Sequence, residues 1–415
     1  MRAEIVSIGT EITSGQALDT NSRWLAQELA SLGIAAAFHT TISDELADHV
    51  SAFKIALDRA SLVVTTGGLG PTQDDLTREA IGLVANVPLE EDAESWAAIV
   101  ALFARRSRPM PERNRVQALL PRGATALANR VGTAPGVWMR MGGSTLVSLP
   151  GVPSEMKVMF HEQVIPRLRE AGFARGATYS HKINLFGKGE SDIEALALDL
   201  TARGRVPEVG ITAHEATISF RITATGATEA EARLAAQPTI ELIHARFGDL
   251  VIGEGDRDVP EALAMGLERA NLSIATAESC TGGLISALLT TVPGVSRFFL
   301  GGVISYSNEV KSKFLSVPRG LIETHGAVSP EVAAAMAAGA RDRFASDLAI
   351  SSTGVAGPGG GSAEKPVGLV YLGLATRDGV QTRKLELGPE QPREVIQKRA
   401  AKHALNWARL AIGNE

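Results

Sequence analysis

The sequence predicts an α/β protein with three parts: two regions built on sheets, and a smaller α+β module between them. Two observations support this division. Short apolar stretches alternate with helical periodicity up to about residue 165 and again after about residue 258. Between about residues 175 and 251, strand-like stretches instead follow one another and are completed by one long helical run. We therefore predict domains at residues 1–170, 175–252 and 258–415.

The composition restricts the class of protein. A chain of 415 residues suggests about two to three domains, and 45% hydrophobic with 21% charged residues is typical of a globular fold. The formal net charge of −5 argues against broad electrostatic binding to nucleic acid. The single cysteine, Cys280, excludes an intrachain disulfide and suits a reducing compartment. No signal-peptide pattern or membrane-length apolar run is present, so we expect a cytoplasmic protein without membrane partners.

The first region reads as a doubly wound sheet. Predicted strands cover residues 4–8, 34–38, 62–66 and 146–149, and helices follow the first two of them. Asn21 or Ser22 is the predicted N-cap of the first long helix, and residues 45–59 form the second. A parallel sheet with helices on both faces binds ligands at the carboxyl ends of its strands, where three polar turns fall.

Among these turns, residues 66–77 are the richest in glycine. We predict that their backbone donors bind a phosphate group at the start of a helix near Asp74. The residues assigned to this binding are Thr66, Gly67, Gly68, Gly70 and Thr72.

Four carboxylates lie in or near these turns. The pair Asp74 and Asp75 suggests a divalent ion that bridges protein and phosphate, with Glu11 and Glu155 as further candidate ligands. The alternative is that Asp74 and Glu155 are first-turn helix residues favoured by the helix dipole.

The middle module reads as strands at residues 182–187, 208–212 and 216–223 and a helix at 229–247 that contains Pro238. Ser191 with Glu194 has the spacing of a capping box. No Gly-x-x-Gly loop and no basic, aromatic-bearing surface is evident, so we do not expect nucleic-acid binding. The simplest roles for this module are to separate the two flanking domains and to contact the second subunit of a dimer.

Residues 253–258 are predicted to form a polar linker to the last region. A helix at 259–270 follows, and strands and helices then alternate to a final helix at 392–410. An alanine-rich helix at 331–343 is predicted to pack in the core.

The turn AESCTGG, residues 277–283, joins a strand to a helix in this region. The free N–H groups of a first helical turn can hold an anion or stabilise an oxyanion beside a nucleophile. Alternatively, Ser279 or Thr281 merely caps the helix.

Further polar stretches supply partners for a hydroxyl nucleophile. They include Tyr306 with Lys311, a loop containing His325, and a glycine-rich loop after Thr353. No His–Asp pair suits a serine triad, so a Ser–Lys or Ser–Tyr–Lys arrangement is the alternative, in which a buried lysine acts as base.

Two motifs of the first region, TTGGLGPTQDD at residues 65–75 and PGVP at 150–153, resemble those of proteins with the molybdopterin-binding fold. Over nearly its whole length the chain is similar to the competence/damage-inducible CinA family. The resemblance implies a KH-like middle module and metal-dependent ADP-ribose pyrophosphatase activity in the first domain. It does not imply molybdopterin chemistry, because one fold hosts several ligands.

In the same way, the last region resembles the nicotinamide mononucleotide (NMN) deamidase domain of that family, which implies no cofactor. The implied nucleophile is Ser279, supported by Tyr306, Lys311 and Thr353, with Cys280 as the rival nucleophile. The resemblance implies substrate contacts at Cys280, Thr281, Gly282, Gly283, Asn308, Gly354, Gly357 and Arg393.

Together these expectations describe a bifunctional pyridine-nucleotide salvage enzyme that acts on NMN and ADP-ribose, and a homodimer. Two other classes remain open: a non-catalytic nucleotide- or pterin-binding protein, and an accessory of DNA uptake or repair. The acidic balance weighs against the second of these.

Overall fold

The computed structural model describes residues 2–107, 109–174 and 176–413. Its first part contains a six-stranded sheet in the order β2-β1-β3-β8-β7-β6 and a ribbon of β4 with β5. The strands are β1 Arg2–Ile8, β2 Ala35–Ile42, β3 Leu62–Thr66, β4 Leu89–Glu91, β5 Leu119–Pro121, β6 Thr125–Leu127, β7 Gly136–Met141 and β8 Ser144–Leu149. Strands β2, β1, β3 and β8 are parallel, as predicted. Strands β7 and β6 are antiparallel, because β7 and β8 form a tight hairpin that leaves no room for a crossover helix.

Helices cover both faces of this sheet, which confirms the doubly wound prediction. Successive strand residues alternate between the faces: Ile5 and Val64 belong to one apolar cluster, and Val6 and Val63 to the other. The helices are α1 Thr10–Thr13, α2 Thr20–Ser31, α3 Leu46–Arg59, α4 Thr77–Ala85, α5 Ala93–Arg105, α6 Pro153–Met159 and α7 Ile165–Glu170. A 3₁₀ segment covers Glu112–Ala118, and a π-helical turn, Phe160–Val164, joins α6 to α7.

Helix starts were predicted less well. The cap of α2 is Asp19, whose carboxylate accepts the Ser22 N–H at 2.9 Å, so the prediction of Asn21 or Ser22 was wrong. Helix α4 begins at Thr77 and not near Asp74, because Asp75 uses its carboxylate within the preceding loop.

The middle module has a four-stranded sheet in the order β10-β11-β9-β12. Its elements are β9 Ala177–Phe186, α8 Glu190–Leu196, β10 Glu208–His214, β11 Thr217–Gly226, α9 Glu229–Phe247 and β12 Val251–Glu254, with a 3₁₀ turn at Gly248–Leu250. Gly189, which has no capping side chain, occupies the N-cap of α8. The capping box predicted at Ser191 was therefore wrong.

In the last region a five-stranded sheet has the order β14-β13-β15-β16-β17. The strands are β13 Ile274–Glu278, β14 Phe299–Ile304, β15 Leu348–Gly354, β16 Leu369–Thr376 and β17 Gly379–Glu386. The helices are α10 Val259–Ala270, α11 Leu284–Thr290, α12 Asn308–Leu315, α13 Arg319–His325, α14 Pro330–Phe344 and α15 Arg393–Gly413, with a 3₁₀ turn at Val295–Arg297. Strands β14, β13 and β15 are parallel, whereas β16 and β17 are added antiparallel.

The alanine-rich helix α14 packs in the core, as predicted. Its buried residues include Ala333, Met336 and Ala337, which contact the small side chains of the central strands. A Cβ on Gly339 would come within 1.8 Å of the Leu315 carbonyl oxygen, so this helix lies very close to its neighbour.

The chain divides into two units: residues 1–179 with 224–235, and residues 180–223 with 236–415. Within the second unit the predicted linker is held at both ends. Gly255 donates to the Lys182 carbonyl at 2.9 Å, and Asp258 caps α10 and pairs with buried Lys402 at 2.7 Å. In the part of the chain that the structure describes, no helix is both long and apolar enough to cross a membrane.

Candidate functional site

Ser279 follows the last residue of β13, the central parallel strand of the C-terminal region. Its N–H donates to the Ser352 carbonyl of β15 at 3.0 Å, and its side chain is nearly buried. The chain then turns through Gly282 and Gly283, with φ values of 64° and 106° that favour glycine, before α11 begins. The side chain of Ser279 therefore lies at the carboxyl edge of the sheet, where α/β proteins bind ligands.

Beneath this turn lies the carboxylate of Glu278, which is fully buried. It accepts the N–H groups of Gly283, Ile285 and Ser286 at 2.8–3.0 Å and the hydroxyls of Ser286 and Thr281 at 2.6 and 2.8 Å. Five donors and the positive end of α11 thus compensate a charge that is costly to bury.

The position of Glu278 corrects one sequence expectation. The helix N–H groups that we expected to stabilise an oxyanion are largely taken by this carboxylate. Of the turn residues, Cys280 and Thr281 have backbone N–H groups that donate to no oxygen in the described residues. Sequence reasoning did not find Glu278, although an acidic residue directly before a strand-to-helix turn was a usable signal.

Lys311 contacts the Ser279 hydroxyl directly. Its Nζ lies 3.0 Å from Ser279 Oγ and 2.7 Å from the Ser305 carbonyl oxygen, and only 1% of the residue is exposed. Burial lowers the pKa of Lys311 to about 8. A fraction of the amine is therefore neutral near physiological pH, so Lys311 can accept the proton of a serine nucleophile.

Cys280 is placed less favourably for nucleophilic attack. Burial raises the pKa of its thiol to about 12, which disfavours the reactive thiolate. Its backbone carbonyl accepts a hydrogen bond from Gln397 of α15 at 2.8 Å, a contact that sequence reasoning missed. Between the two neighbouring residues, the geometry and the pKa favour Ser279.

Arg393 and Tyr306 form a pair that lines the same cavity as Ser279. Arg393 donates to the Tyr306 hydroxyl at 2.9 Å and to the Gly357 carbonyl at 2.7 Å. Tyr306 is 62% exposed and has no hydrogen bond to Ser279 or Lys311 in the described residues. Its hydroxyl accepts a hydrogen bond from Arg393 in this structure, and its expected part in the transfer of the Ser279 proton stays a prediction.

These residues surround one cavity of about 210 Å³. The expected site residues that line it are Ser279, Cys280, Tyr306, Asn308, Lys311, Thr353, Gly354 and Arg393. The hydroxyl of Thr353 donates to the Ala327 carbonyl at 2.7 Å, so it holds the neighbouring loop.

Four expected substrate contacts do not line the cavity: Thr281, Gly282, Gly283 and Gly357. Thr281 is buried against Glu278 and Ser352. Gly282 and Gly283 shape the turn, and Gly357 positions Arg393 through its carbonyl.

The glycine-rich loop after β3 is held in place by side chains at the start of the following helix. Arg78 is buried, donates to the carbonyls of Leu69 and Gly70 at 2.7 Å each, and burial lowers its pKa to about 10. Thr77 donates to the Gly67 carbonyl at 2.9 Å. The N–H groups of Gly68 and Leu69 have no acceptor in the described part of the chain, so they are available to an anion.

Other predicted loop residues support this conformation. Thr66 donates to the Pro150 carbonyl at 3.0 Å. Asp75 accepts the N–H groups of Gly70 and Thr72 at 2.7 and 2.8 Å, and the Thr72 hydroxyl bonds both Asp75 and Asp74. That hydroxyl lowers the pKa of Asp74.

The four predicted metal ligands do not form one cluster. Glu155 accepts the Asn129 amide at 2.8 Å, and Glu11 is exposed in the first turn of α1. Among the described residues, no group of three or more acidic, histidine or cysteine side chains could hold a metal ion. The side chains present therefore do not fit a divalent ion held by protein ligands alone.

Two proteins that match this chain over nearly its whole length show which family it belongs to. The chain is 41% identical over 414 residues to a CinA-like protein of Dictyoglomus thermophilum, covering 100% of both chains. It is 42% identical over 413 residues to a putative competence-damage inducible protein of Caldicellulosiruptor bescii, covering 99% of each. The chain belongs to the CinA family.

Family models match each region of this CinA-family chain. The probable molybdopterin binding domain matches residues 4–170, the damage-inducible protein CinA KH domain residues 180–253, and the CinA C-terminal domain residues 256–412. A crystal structure of the competence/damage inducible protein CihA from Agrobacterium tumefaciens is 38% identical, covers 37% of this chain and 93% of its own, and has a TM-score of 0.36.

The buried carboxylate yields a stability prediction for the CinA C-terminal region. Glu278→Gln should lower its free energy of unfolding by roughly 1–3 kcal/mol, because an amide nitrogen cannot accept the N–H groups of α11. Exposed Glu309, in the first turn of α12, provides the control, and Glu309→Gln should cost less than about 1 kcal/mol. Urea unfolding followed by NMR of fluorotryptophan-labelled protein reads this region through Trp407. Equal losses in the two variants would contradict the role given to burial.

Proposed function

We propose that the C-terminal region hydrolyses NMN to nicotinate mononucleotide and ammonia. The observation that supports this most strongly is the 3.0 Å contact between buried Lys311 and Ser279, with Arg393 lining the same cavity. A serine activated by a lysine of lowered pKa is a recognised nucleophile for acyl transfer. The resemblance of these motifs to NMN deamidase domains supplies the substrate.

In the first half of the reaction, Ser279 Oγ attacks the amide carbon while Lys311 Nζ takes the hydroxyl proton. The backbone N–H of Cys280, which lines the cavity and donates to no oxygen in the described residues, stabilises the oxyanion and is worth roughly 3 kcal/mol. As the carbon–nitrogen bond breaks, the Lys311 ammonium returns the proton to the leaving nitrogen. Ammonia departs, and the nicotinoyl group remains as an ester of Ser279.

Water completes the reaction. Lys311 takes a proton from the attacking water, the ester bond breaks, and the proton returns to Ser279 Oγ. Arg393 binds the 5′-phosphate, since a planar guanidinium offers paired donors to phosphate. A cavity of about 210 Å³ is smaller than usual for a whole ligand, so it would hold the reacting end, with the phosphate at its exposed rim. No cofactor is needed in this scheme.

Substitution of the two neighbouring candidates tests the nucleophile. Ser279→Ala should abolish ammonia release from NMN but leave NMN binding largely intact, because it removes the attacking atom alone. Cys280→Ala should remain active. Ammonia release and equilibrium dialysis of NMN measure the two properties. An inactive Cys280→Ala with an active Ser279→Ala would reverse the assignment, and an inactive parent protein that still binds NMN would favour a binding protein.

The pH profile tests the base. Lys311 must be neutral to accept a proton, so kcat for deamidation should rise with pH and level off above about 8, the lowered pKa of this amine. Below that pH the protonated fraction grows and the rate should fall up to tenfold per unit. Lys313→Ala, which removes an exposed lysine of the same helix, should leave the profile unchanged. A kcat that stays constant from pH 6 to 9, a range that extends at least about one pH unit to each side of the expected pKa, excludes this role for Lys311.

We also propose that the N-terminal region hydrolyses the pyrophosphate of ADP-ribose with the help of a divalent ion. The two unpartnered N–H groups of the β3 loop support phosphate binding there. The described side chains of the region do not form a metal site by themselves, so no step is assigned to the ion. A cytoplasmic location and a homodimer remain predictions.

Asp75 provides the test of this second activity. Asp75→Asn should lower ADP-ribose hydrolysis by at least about tenfold, because an amide cannot accept the N–H groups of both Gly70 and Thr72. NMN deamidation should not change. Asp74→Asn is the control with fewer contacts and should have a smaller effect. Full hydrolysis by Asp75→Asn would contradict the loop's role, and full hydrolysis in excess chelator would remove the divalent ion from the proposal.

A further inference from the structure

A second cavity of the C-terminal unit, of about 330 Å³, carries positive charge that the proposed reaction does not use. Its lining includes the guanidinium groups of Arg257, Arg269 and Arg409, and Asp249 is the one acidic residue that lines it. The charged side chains of the lining therefore sum to about +2, because arginine stays protonated at neutral pH.

Within the described residues, none of the three guanidinium groups forms an ion pair. Arg409 is partly buried and donates to the carbonyls of Asp249 and Val251 and to the Asn406 amide oxygen. These acceptors are neutral, and burial lowers the pKa of Arg409. The side chains of Arg257 and Arg269 have no hydrogen bond or ion pair within the described residues. Asp249 attracts Arg409 electrostatically, which leaves the charges of Arg257 and Arg269 to favour an external anion.

One wall of the cavity is apolar. Ile252, Met265 and Leu410 line it together with the charged groups, so the site suits a ligand with an uncharged body as well as an anionic group. The volume lies at the small end of the range for ligand sites, which excludes a dinucleotide. We propose that this cavity binds a small phosphate ester, with the phosphate on the arginines and the body against Met265.

This site is separate from the catalytic cavity. Arg393, at the start of α15, lines the catalytic cavity, and Arg409 of the same helix lines this one. Sixteen residues of α-helix span about 24 Å, which is too far for one small ligand to contact both arginines. The proposal therefore does not depend on the deamidase assignment.

The test uses the full chain labelled with ¹³C-methyl methionine, because Met265 lines the cavity and gives a local signal. Ribose 5-phosphate is the probe, and ribose is its uncharged counterpart. The Met265 signal, assigned with Met265→Leu, should shift in a saturable way with ribose 5-phosphate and not with ribose. The Arg393→Ala background removes the proposed phosphate contact of the catalytic cavity, and the shift should persist there.

Substitutions in the cavity decide the result. Arg269→Ala and Arg257→Ala should each weaken the binding seen at Met265 by about tenfold or more, since each removes a charged hydrogen-bond donor. Arg269→Lys should retain part of it. Arg377→Ala, which removes an exposed charge in the turn between β16 and β17, should bind like the parent. Unchanged methyl signals elsewhere report folding. The proposal is wrong if Met265 does not respond, responds equally to ribose, or responds unchanged in both cavity variants.

Discussion

The buried carboxylate of Glu278 fixes the geometry on which the candidate deamidase site depends. It holds the first N–H groups of α11 and the Thr281 hydroxyl, so the turn that presents Ser279 has one stable path. Its charge is satisfied by those donors, and it forms no ion pair with Lys311 in the described residues. Lys311 is consequently buried without a carboxylate partner, and desolvation lowers its pKa toward that of a useful base. The two buried groups have separate effects: Glu278 fixes the position of Ser279, and Lys311 is placed to accept a proton from it in the proposed reaction.

The parts of this fold that were predictable from sequence are those with a strong apolar pattern. Strand β3 and helix α10 have the predicted bounds, because buried periodicity and flanking Gly, Pro and Asp residues act locally. The N-cap residues were harder to predict, because several neighbouring polar residues can cap the same helix end. At α2 the N-cap is Asp19. The loop at Asp75 could not be predicted, because its carboxylate bonds backbone groups that only the folded loop brings together.

The candidate site shows the same limit over longer distances. Ser279 and Lys311 are 32 residues apart, and Tyr306 and Arg393 are 87 apart, so spacing alone could not pair them. Family resemblance named these residues, but it did not distinguish groups that face the cavity from groups that support it. Thr281 bonds Glu278 and does not line the cavity, whereas Thr353 lines it but donates its hydroxyl to the Ala327 carbonyl. Separating the two roles needs the direction of each side chain.

Helix α15 extends this support to the middle module. Near its start, Arg393 lines the cavity and Gln397 holds the Cys280 carbonyl. Further along, Lys398 pairs with Glu215 at 2.7 Å, and buried Lys402 contacts Asp258 at 2.7 Å and Thr217 at 3.2 Å. An exposed pair contributes little, but removing the partner of a buried lysine leaves an uncompensated charge. The module that the sequence suggested as a spacer therefore stabilises the helix that carries the proposed phosphate-binding arginine. Asp258 makes the segment between the two regions part of the scaffold of the candidate site.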